Sequence, residues 1–111
     1  MAGEERPLLQ IETEKQPGKT IVHCAGKVVI ESAAPFLHAV RALIAEGKPI
    51  FIDLANVTQV DSVGIGNFVS AWASARKNGV ELKFINLNEG INDLFEITRL
   101  KDMFGTDTAR A

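Results

Sequence analysis

The sequence predicts an α/β fold: one domain with a mostly parallel sheet, an N-terminal antiparallel hairpin, and helices packed against the sheet. The chain has 111 residues, a length that suits a single domain. Short apolar runs alternate with helical stripes in the order β-β-α-β-α-β-α-(β). Strands separated by helices form parallel sheets. The first two runs flank only a turn signal, 16–19, which is typical of a hairpin.

The first half of the chain is predicted to contain two strands and a helix. Leu8–Glu12 and Thr20–Ala25 are apolar-rich runs and predict the hairpin strands. Ser32–Glu46 then places apolar residues at helical spacing, which predicts the first helix. Ser32 is the candidate N-cap, and Gly47 is a stop signal.

The second half alternates strand and helix. Pro49–Leu54 is an apolar run broken by one residue, which predicts a strand covered on both faces. A second helix is predicted over Ser62–Asn78, a strand over Glu81–Leu87 and a third helix over Asn88–Thr98. Met103–Gly105 is predicted as a last short strand. The predicted organisation is a flexible N-terminus at 1–7, the domain at 8–105 and a C-terminal tail at 106–111.

Composition and charge exclude several function classes. The net charge is −2, and basic residues cluster only in pairs such as Arg76 and Lys77, so direct nucleic-acid binding is not expected. The single cysteine, Cys24, excludes an internal disulfide and fits a reducing compartment. Two histidines and one cysteine at these spacings do not predict a zinc site, and no cofactor is expected. The sequence shows neither a signal peptide nor a membrane-spanning run, so we expect a cytoplasmic protein that does not bind membranes.

The second predicted helix has an unusual surface. Ile65, Phe68, Val69 and Trp72 fall on one face, which predicts packing against the sheet with Trp72 buried. No charged residue occurs from 62 to 75, whereas a solvent-facing helix normally carries Lys and Glu. Charge depletion marks the centres of protein interfaces, so this face predicts a partner-binding surface. The alternative is that a further helix of the same domain covers it. The face comprises Val63, Asn67, Ser70 and Ser74, flanked by Gly66 and Ala71.

Ser62 begins this helix directly after a predicted buried strand. Backbone N–H groups and the helix dipole at such a junction favour a negative group, either bound or covalently attached to the serine. A simpler alternative is that Ser62 or Asp61 only caps the helix. A nucleotide- or anion-binding domain is a further alternative, although the segment lacks the lysine of a phosphate-binding P-loop.

A nucleophilic serine is another alternative. A nucleophile elbow has the pattern Gly-x-Ser-x-Gly. Gly64 fits this pattern, but Val60 stands where the first glycine belongs. The general base would have to be His23, inside the second strand, or His38, opposite the apolar stripe of the first helix. Hydrolase chemistry is therefore the weaker interpretation.

The segment Val60-Asp61-Ser62-Val63-Gly64-Ile65-Gly66 resembles the Asp-Ser-x-Gly-hydrophobic-Gly signature of STAS-domain anti-sigma factor antagonists. The resemblance covers nearly the whole domain. Pro49–Leu54 and Glu81–Leu87 resemble the family's strands before and after the motif, and 92–100 resembles its third helix. Gly26 matches the glycine that ends the family's second strand. One departure is Val29, which replaces an acidic residue three positions after that glycine, and the family's final helix is expected to be short or absent.

The resemblance implies phosphorylation-controlled partner switching by a protein that is not an enzyme. The resemblance implies that Ser62 is the phosphoacceptor and that Asp61 is its acidic neighbour. It also implies that Gly64 and Gly66 give an open helix start. The implied partners are an anti-sigma factor with serine kinase activity and a serine phosphatase, and the protein is expected to be a monomer without a catalytic residue. The alternative is a STAS scaffold, or an accessory subunit of a stress-sensing complex or transporter ATPase. The implied partner-binding residues are Asp61, Val63, Gly64, Gly66, Asn67, Ser70, Ala71 and Ser74.

Overall fold

A computed structural model describes residues 7–110. The flexible N-terminus predicted at 1–7 lies outside this range except for Pro7. The strands and helices alternate as predicted, with an additional short helix near the end. The elements are β1 (Leu9–Gln16), β2 (Lys19–Val28), α1 (Ile30–Ile44), β3 (Ile50–Val60), α2 (Ser62–Lys77), β4 (Leu82–Leu87), α3 (Glu89–Ile97), α4 (Leu100–Phe104), a 3₁₀ turn (Gly105–Asp107) and β5 (Thr108–Arg110).

The five strands form one sheet in the order β1-β2-β3-β4-β5. β1 and β2 are antiparallel, and the other three pairings are parallel. Gly18 in the hairpin turn has a φ of +83°, a conformation that favours glycine. The predicted α/β fold with a mostly parallel sheet and an N-terminal hairpin is confirmed.

The four helices found between residues 7 and 110 lie on one face of the sheet. The ring of Phe84 in β4 contacts rings from α2, α3 and α4, and Phe36 of α1 contacts Phe68 of α2. We call this side the helix face and the other side the open face. The prediction that β3 is covered on both faces is wrong. Its residues Ile50, Ile52 and Leu54 are fully buried, but Phe51 and Asp53, which point to the open face, are only half-buried.

Aromatic side chains fill the space between sheet and helices. The ring centroid of Phe68 lies 5.6 Å from that of Phe36, 5.4 Å from Phe84 and 5.8 Å from Phe95. Edge-to-face pairs of this kind contribute about 0.5–1.5 kcal/mol each beyond their buried area. Phe68 is therefore the residue through which α2 is held in the core.

Helix α1 begins two residues earlier than predicted. Val29 is the N-cap position, so the prediction that Ser32 caps the helix is wrong. The Ser32 hydroxyl lies in the first turn, where it accepts a hydrogen bond from the Val29 N–H (3.0 Å) and donates one to the Lys27 carbonyl (2.6 Å). Its side chain therefore ties the helix start back to the end of β2.

The C-terminal elements differ most from the prediction. Met103–Gly105 is not a strand, because the helical turn of α4 brings Leu100 and Phe104 to the same side, where both are buried. Phe104 stacks on Phe84 with ring centroids 4.8 Å apart. The last strand is instead Thr108–Arg110, within the stretch predicted as a tail, and it pairs with β4.

Trp72 is half-buried, although the sequence predicts that it is buried. Its indole N–H donates to an Asp107 carboxylate oxygen at 3.0 Å, and the Arg76 guanidinium lies over its ring at 4.9 Å. A Trp at the edge of the core can satisfy its N–H in this way, whereas full burial would require an internal acceptor.

Candidate functional site

Ser62 occupies the first helical position of α2 and is exposed. Strand β3 ends at Val60, and Asp61 is the only residue between strand and helix. Within residues 7–110, the Ser62 hydroxyl has no hydrogen-bond partner. The structure therefore presents this hydroxyl to the surroundings at the position where the sequence predicts a modified serine.

Asp61, not Ser62, caps the helix. One carboxylate oxygen of Asp61 accepts from the Gly64 N–H at 2.8 Å, and the other accepts from the Ile30 N–H at 2.9 Å. The carboxylate therefore joins the first turns of α2 and α1. These backbone hydrogen bonds, that from Gly64 foremost, lower the pKa of Asp61 below its usual value.

The same carboxylate argues against the anion-binding alternative. Asp61 is already the negative group at the N-terminus of α2, and it uses the Gly64 N–H that a bound anion would need. A free phosphate there would meet a like charge. A phosphate attached to Ser62 would be repelled by the same carboxylate and would extend away from the helix start.

The histidines are not placed to activate Ser62. His23 lies on the open face, and both of its ring nitrogens are 2.9 Å from carboxylate oxygens, of Glu14 and Asp53. His38 is exposed on α1. Neither shares a hydrogen bond with Ser62, so the geometry gives no support to a nucleophilic serine.

The two glycines of the motif have different roles. A Cβ on Gly64 would lie 2.0 Å from the Val28 carbonyl oxygen, so only glycine allows α2 to approach β2 this closely. A Cβ on Gly66 would have no neighbour within 4 Å, and this residue is exposed. Glycine is therefore required at position 64 for packing, and Gly64 is not part of an open helix start. Of the two glycines, only Gly66 lies on the exposed surface.

The predicted partner-binding face is only partly exposed. Asn67 and Ala71 are buried, because that side of α2 meets α1; the Asn67 amide donates to the Ala33 carbonyl at 2.5 Å. The prediction that Asn67 and Ala71 lie on an open face is wrong. On this side of α2 the alternative holds, because α1 of the same domain covers it. Ser74 is half-buried. The residues that remain open form an uncharged stripe one turn apart, which we call the α2 stripe: Ser62, Val63, Gly66, Ser70 and Ala73.

A groove that the sequence did not predict adjoins this stripe. Its walls include Leu8 and Ile30, whose exposed fractions are 45% and 63%, unusually high for large aliphatic side chains. Asp61 lies in the groove, and Val63, 38% exposed, begins the neighbouring stripe. The only sequence signal for Ile30 was its place as the last of three apolar residues directly after Gly26-Lys27. We call this the Asp61 groove; its lining is Leu8, Lys27, Val29, Ile30, Glu31, Gln59 and Asp61.

Neither a metal centre nor a membrane span emerges from the described residues. Across residues 7–110, no group of three or more His, Cys, Asp and Glu side chains is arranged to hold a metal ion. Over the same range, no helix has the length and apolar character needed to cross a bilayer.

Comparison with known proteins gives consistent results. The family model for the STAS domain matches residues 10–111. An anti-sigma-B factor antagonist of Bacillus subtilis is 32% identical over 95 residues, covering 86% of this chain and 87% of that protein. The crystal structure of an anti-sigma factor antagonist from Mycobacterium paratuberculosis superposes with a TM-score of 0.79 at 19% identity, covering 92% and 85% of the two chains. The phosphorylated form of the Bacillus cell fate determinant SpoIIAA superposes with a TM-score of 0.70 at 13% identity, covering 92% and 91%.

Proposed function

The chain belongs to the STAS domain family, and from this membership we propose that it is an anti-sigma factor antagonist that acts by phosphorylation-controlled partner switching. Unphosphorylated protein binds an anti-sigma factor with serine kinase activity, which then releases its sigma factor. The observation that carries the proposal is the exposed Ser62 hydroxyl beside an uncharged surface, in a chain 32% identical to an anti-sigma-B factor antagonist.

The docking surface is the α2 stripe together with the aliphatic rim of the Asp61 groove. Ile30, Leu8 and Val63 expose large apolar side chains around the motif. Contact with a partner would remove this apolar area from water, which contributes about 25 cal/mol per Å². The small side chains of Gly66 and Ser70 allow a partner's backbone to come close.

Phosphorylation opposes this contact through charge. A phosphate on Ser62 adds about −1.5 to −2 charges and three acceptor oxygens at pH 7. It lies beside the Asp61 carboxylate and at the edge of an apolar surface. Burying an unpaired charge in an interface costs several kcal/mol, and about 1.4 kcal/mol is already a tenfold loss of affinity. Ser62 is exposed, so its phosphate would not have to be buried within the folded chain, and we expect the fold to stay intact.

The roles of the partners are inferred from membership of the family. The kinase partner supplies nucleotide and Mg²⁺, a separate serine phosphatase resets Ser62, and this chain contributes no catalytic group. We place the protein in the cytoplasm, where sigma factors act, and expect a monomer that binds no nucleic acid itself. Val29, in place of an acidic residue, bears on how the kinase recognises the site: it is 6% exposed, and Ile30 and Glu31 present the accessible side chains instead.

The test combines phosphate mapping with binding. Incubating the protein with its cognate anti-sigma kinase and ATP should place phosphate on Ser62, as mapped by mass spectrometry. By titration calorimetry, Ser62→Ala should bind the kinase with nearly wild-type affinity, because the hydroxyl adds little contact area. Ser62→Asp and Ser70→Glu should each lose at least tenfold in affinity, because both place a charge on the α2 stripe. Their melting temperatures should remain close to wild type.

A matched control places the same charge elsewhere. Gln10→Glu adds a carboxylate on the exposed open face of β1, away from α2, and should leave binding unchanged. Equal binding by all variants would show that the α2 stripe is not the docking surface. Phosphate found only on another residue would show that Ser62 is not the phosphoacceptor and is simply the first residue of a capped helix. Ester hydrolysis that disappears in Ser62→Ala would restore the nucleophilic alternative.

A further inference from the structure

Three charged side chains form a chain of contacts across the open face, away from Ser62. His23 lies in β2 between Glu14 of β1 and Asp53 of β3. Its Nε2 is 2.9 Å from a Glu14 carboxylate oxygen, and its Nδ1 is 2.9 Å from an Asp53 carboxylate oxygen. One imidazole ring therefore spans the first three strands of the sheet.

We propose that His23 is a proton-dependent clamp, whose doubly protonated ring donates to both carboxylates and thereby holds the edge strand β1 against the rest of the sheet. A carboxylate can only accept. Both ring nitrogens must therefore carry a proton for both contacts to be hydrogen bonds. Neutral imidazole has one N–H, so on deprotonation one nitrogen lone pair faces a carboxylate lone pair, and one of the two strand contacts is lost.

The neighbouring groups hold the two carboxylates in place. The second oxygen of Asp53 accepts from the Ala55 N–H at 3.0 Å, and the second oxygen of Glu14 accepts from the Gln16 amide at 2.5 Å. Other charged groups lie near the cluster without a hydrogen bond to it among the described residues. These are Glu12 on β1, opposite His23 in register, Lys19 on β2, near Glu14, and Lys83 on β4, which pairs with Glu81 at 3.3 Å.

The buried neighbour Cys24 takes no part in this titration. It points to the helix face, and its burial, together with the charge of Asp53, raises its pKa to about 12. The thiol therefore stays neutral at physiological pH. Carboxylates outnumber cations around His23, which favours the charged form of the ring.

The pKa shifts agree with this arrangement and determine whether stability rises or falls with pH. Hydrogen bonds to Glu14 and then Asp53 raise the pKa of His23 above 6.5, and the bond to His23 lowers the pKa of Glu14 below 4.5. A raised histidine pKa contributes stability that is complete below the unfolded value and is lost as pH rises through the folded value. The lowered pKa of Glu14 contributes stability that is lost as pH falls through its own folded value. The clamp is therefore strongest in mildly acidic solution and weakens towards alkaline pH.

The consequence concerns β1 because it is an edge strand. Among residues 7–110 its only neighbour in the sheet is β2, whereas β2 and β3 are paired on both sides. Strand pairs with a single neighbour open more readily than central ones. Loss of the clamp should therefore appear first as faster opening of the β1 backbone hydrogen bonds.

Proton NMR gives a direct test, because the chain has only two histidines. The Cε1–H signals of both rings are followed from about pH 4.5 to about pH 9, the range in which histidine titrates. His23 should titrate at higher pH in the folded protein than in the same protein unfolded in urea, which serves as the reference. Glu14→Gln and Asp53→Asn should each lower the His23 midpoint of the folded protein. Coincident His23 midpoints in the folded and the unfolded wild type would overturn the proposal.

Stability and hydrogen exchange provide a second readout. The melting temperature of the wild type should fall between about pH 6 and about pH 8, and amide exchange in β1 should accelerate over and above its intrinsic pH dependence. Both trends should be absent in His23→Gln and preserved in His38→Gln, the matched control on α1. A His23→Gln variant with the wild-type pH profile would overturn the clamp. If His23→Gln does not fold, Glu14→Gln, whose side chain is about half exposed, provides the same comparison.

Discussion

Gly64 and Gly66 show how differently two glycines of one motif can act. Gly64 lies where α2 crosses the end of β2, and an added methyl group would overlap the Val28 carbonyl oxygen. Gly66 faces open space, two residues further along the same helix. Both have ordinary helical backbone, so the difference between them is steric and not conformational.

We therefore predict opposite effects for the same substitution at these two positions. Gly64→Ala should destabilise the protein by about 1–3 kcal/mol or more, because the helix must move away from the sheet. Gly66→Ala should stabilise it by about 0.5–1 kcal/mol, because alanine loses less backbone entropy in a helix. Urea denaturation of both variants measures the difference. Similar stabilities would show that the close approach at Gly64 is absent in solution.

At this scale the sequence predicted the motif but not all of its surroundings. Ser62 and Asp61 were identified because a strand, an acid and a helix start occur within a few residues. The second bond of Asp61, to the Ile30 N–H, joins residues 31 positions apart and has no local signal. Leu8 and Ile30 were missed for the same reason: tertiary packing decides which aliphatic side chains stay exposed.

The contact between α1 and α2 sets the limits of the exposed surface. Periodicity assigned Asn67 to the polar side of α2, because a single helix shows only how residues are arranged around its axis. In the fold that side meets α1, and the amide donates to the Ala33 carbonyl. Phe68, by contrast, was correctly predicted in the core, because Phe is among the residue types most often fully buried.

Asn67 should therefore contribute to stability and not to partner binding. Asn67→Ala should cost about 1–3 kcal/mol, because it removes a buried hydrogen bond between the two helices. Ser70→Ala, one turn away and exposed, should change stability by no more than about 0.5 kcal/mol. Chemical denaturation of the two variants compares them under identical conditions. An unaffected Asn67→Ala would mean that the two helices are not joined by this bond.

The one-sided arrangement of helices is a property of the whole sheet. Each parallel connection, from β2 to β3, from β3 to β4 and from β4 to β5, passes to the adjacent strand in the same direction. Right-handed crossovers that all progress in one direction leave their helices on one side. The alternation of elements predicted the fold class, but not this uniform direction, and so the open face was not foreseen. The apolar run in β3 suggested two covered faces because Phe51 happens to lie on the open side.

The centre of the core gives a prediction for the molecule as a whole. Ile52 is fully buried in β3 and stands opposite Val22 and Phe84 in the neighbouring strands. Ile52→Asp should abolish folding, because a buried carboxylate without a partner costs several kcal/mol. Ile52→Val should fold with a loss of about 0.5–1.5 kcal/mol. Circular dichroism and thermal melting distinguish these outcomes, and a cooperative melt for Ile52→Asp would contradict the placement of β3.

The order of strands in the sheet also follows the order in which they are synthesised. Every strand from β2 to β5 pairs with the strand that precedes it in the chain. A chain that leaves the ribosome from its N-terminus therefore makes the partner of each strand before the strand itself. No segment has to wait for a distant one to be translated, and no strand has to be inserted between two that are already paired. Assembly during translation can proceed from one edge of the sheet to the other, which shortens the time during which unpaired strand edges are exposed to aggregation.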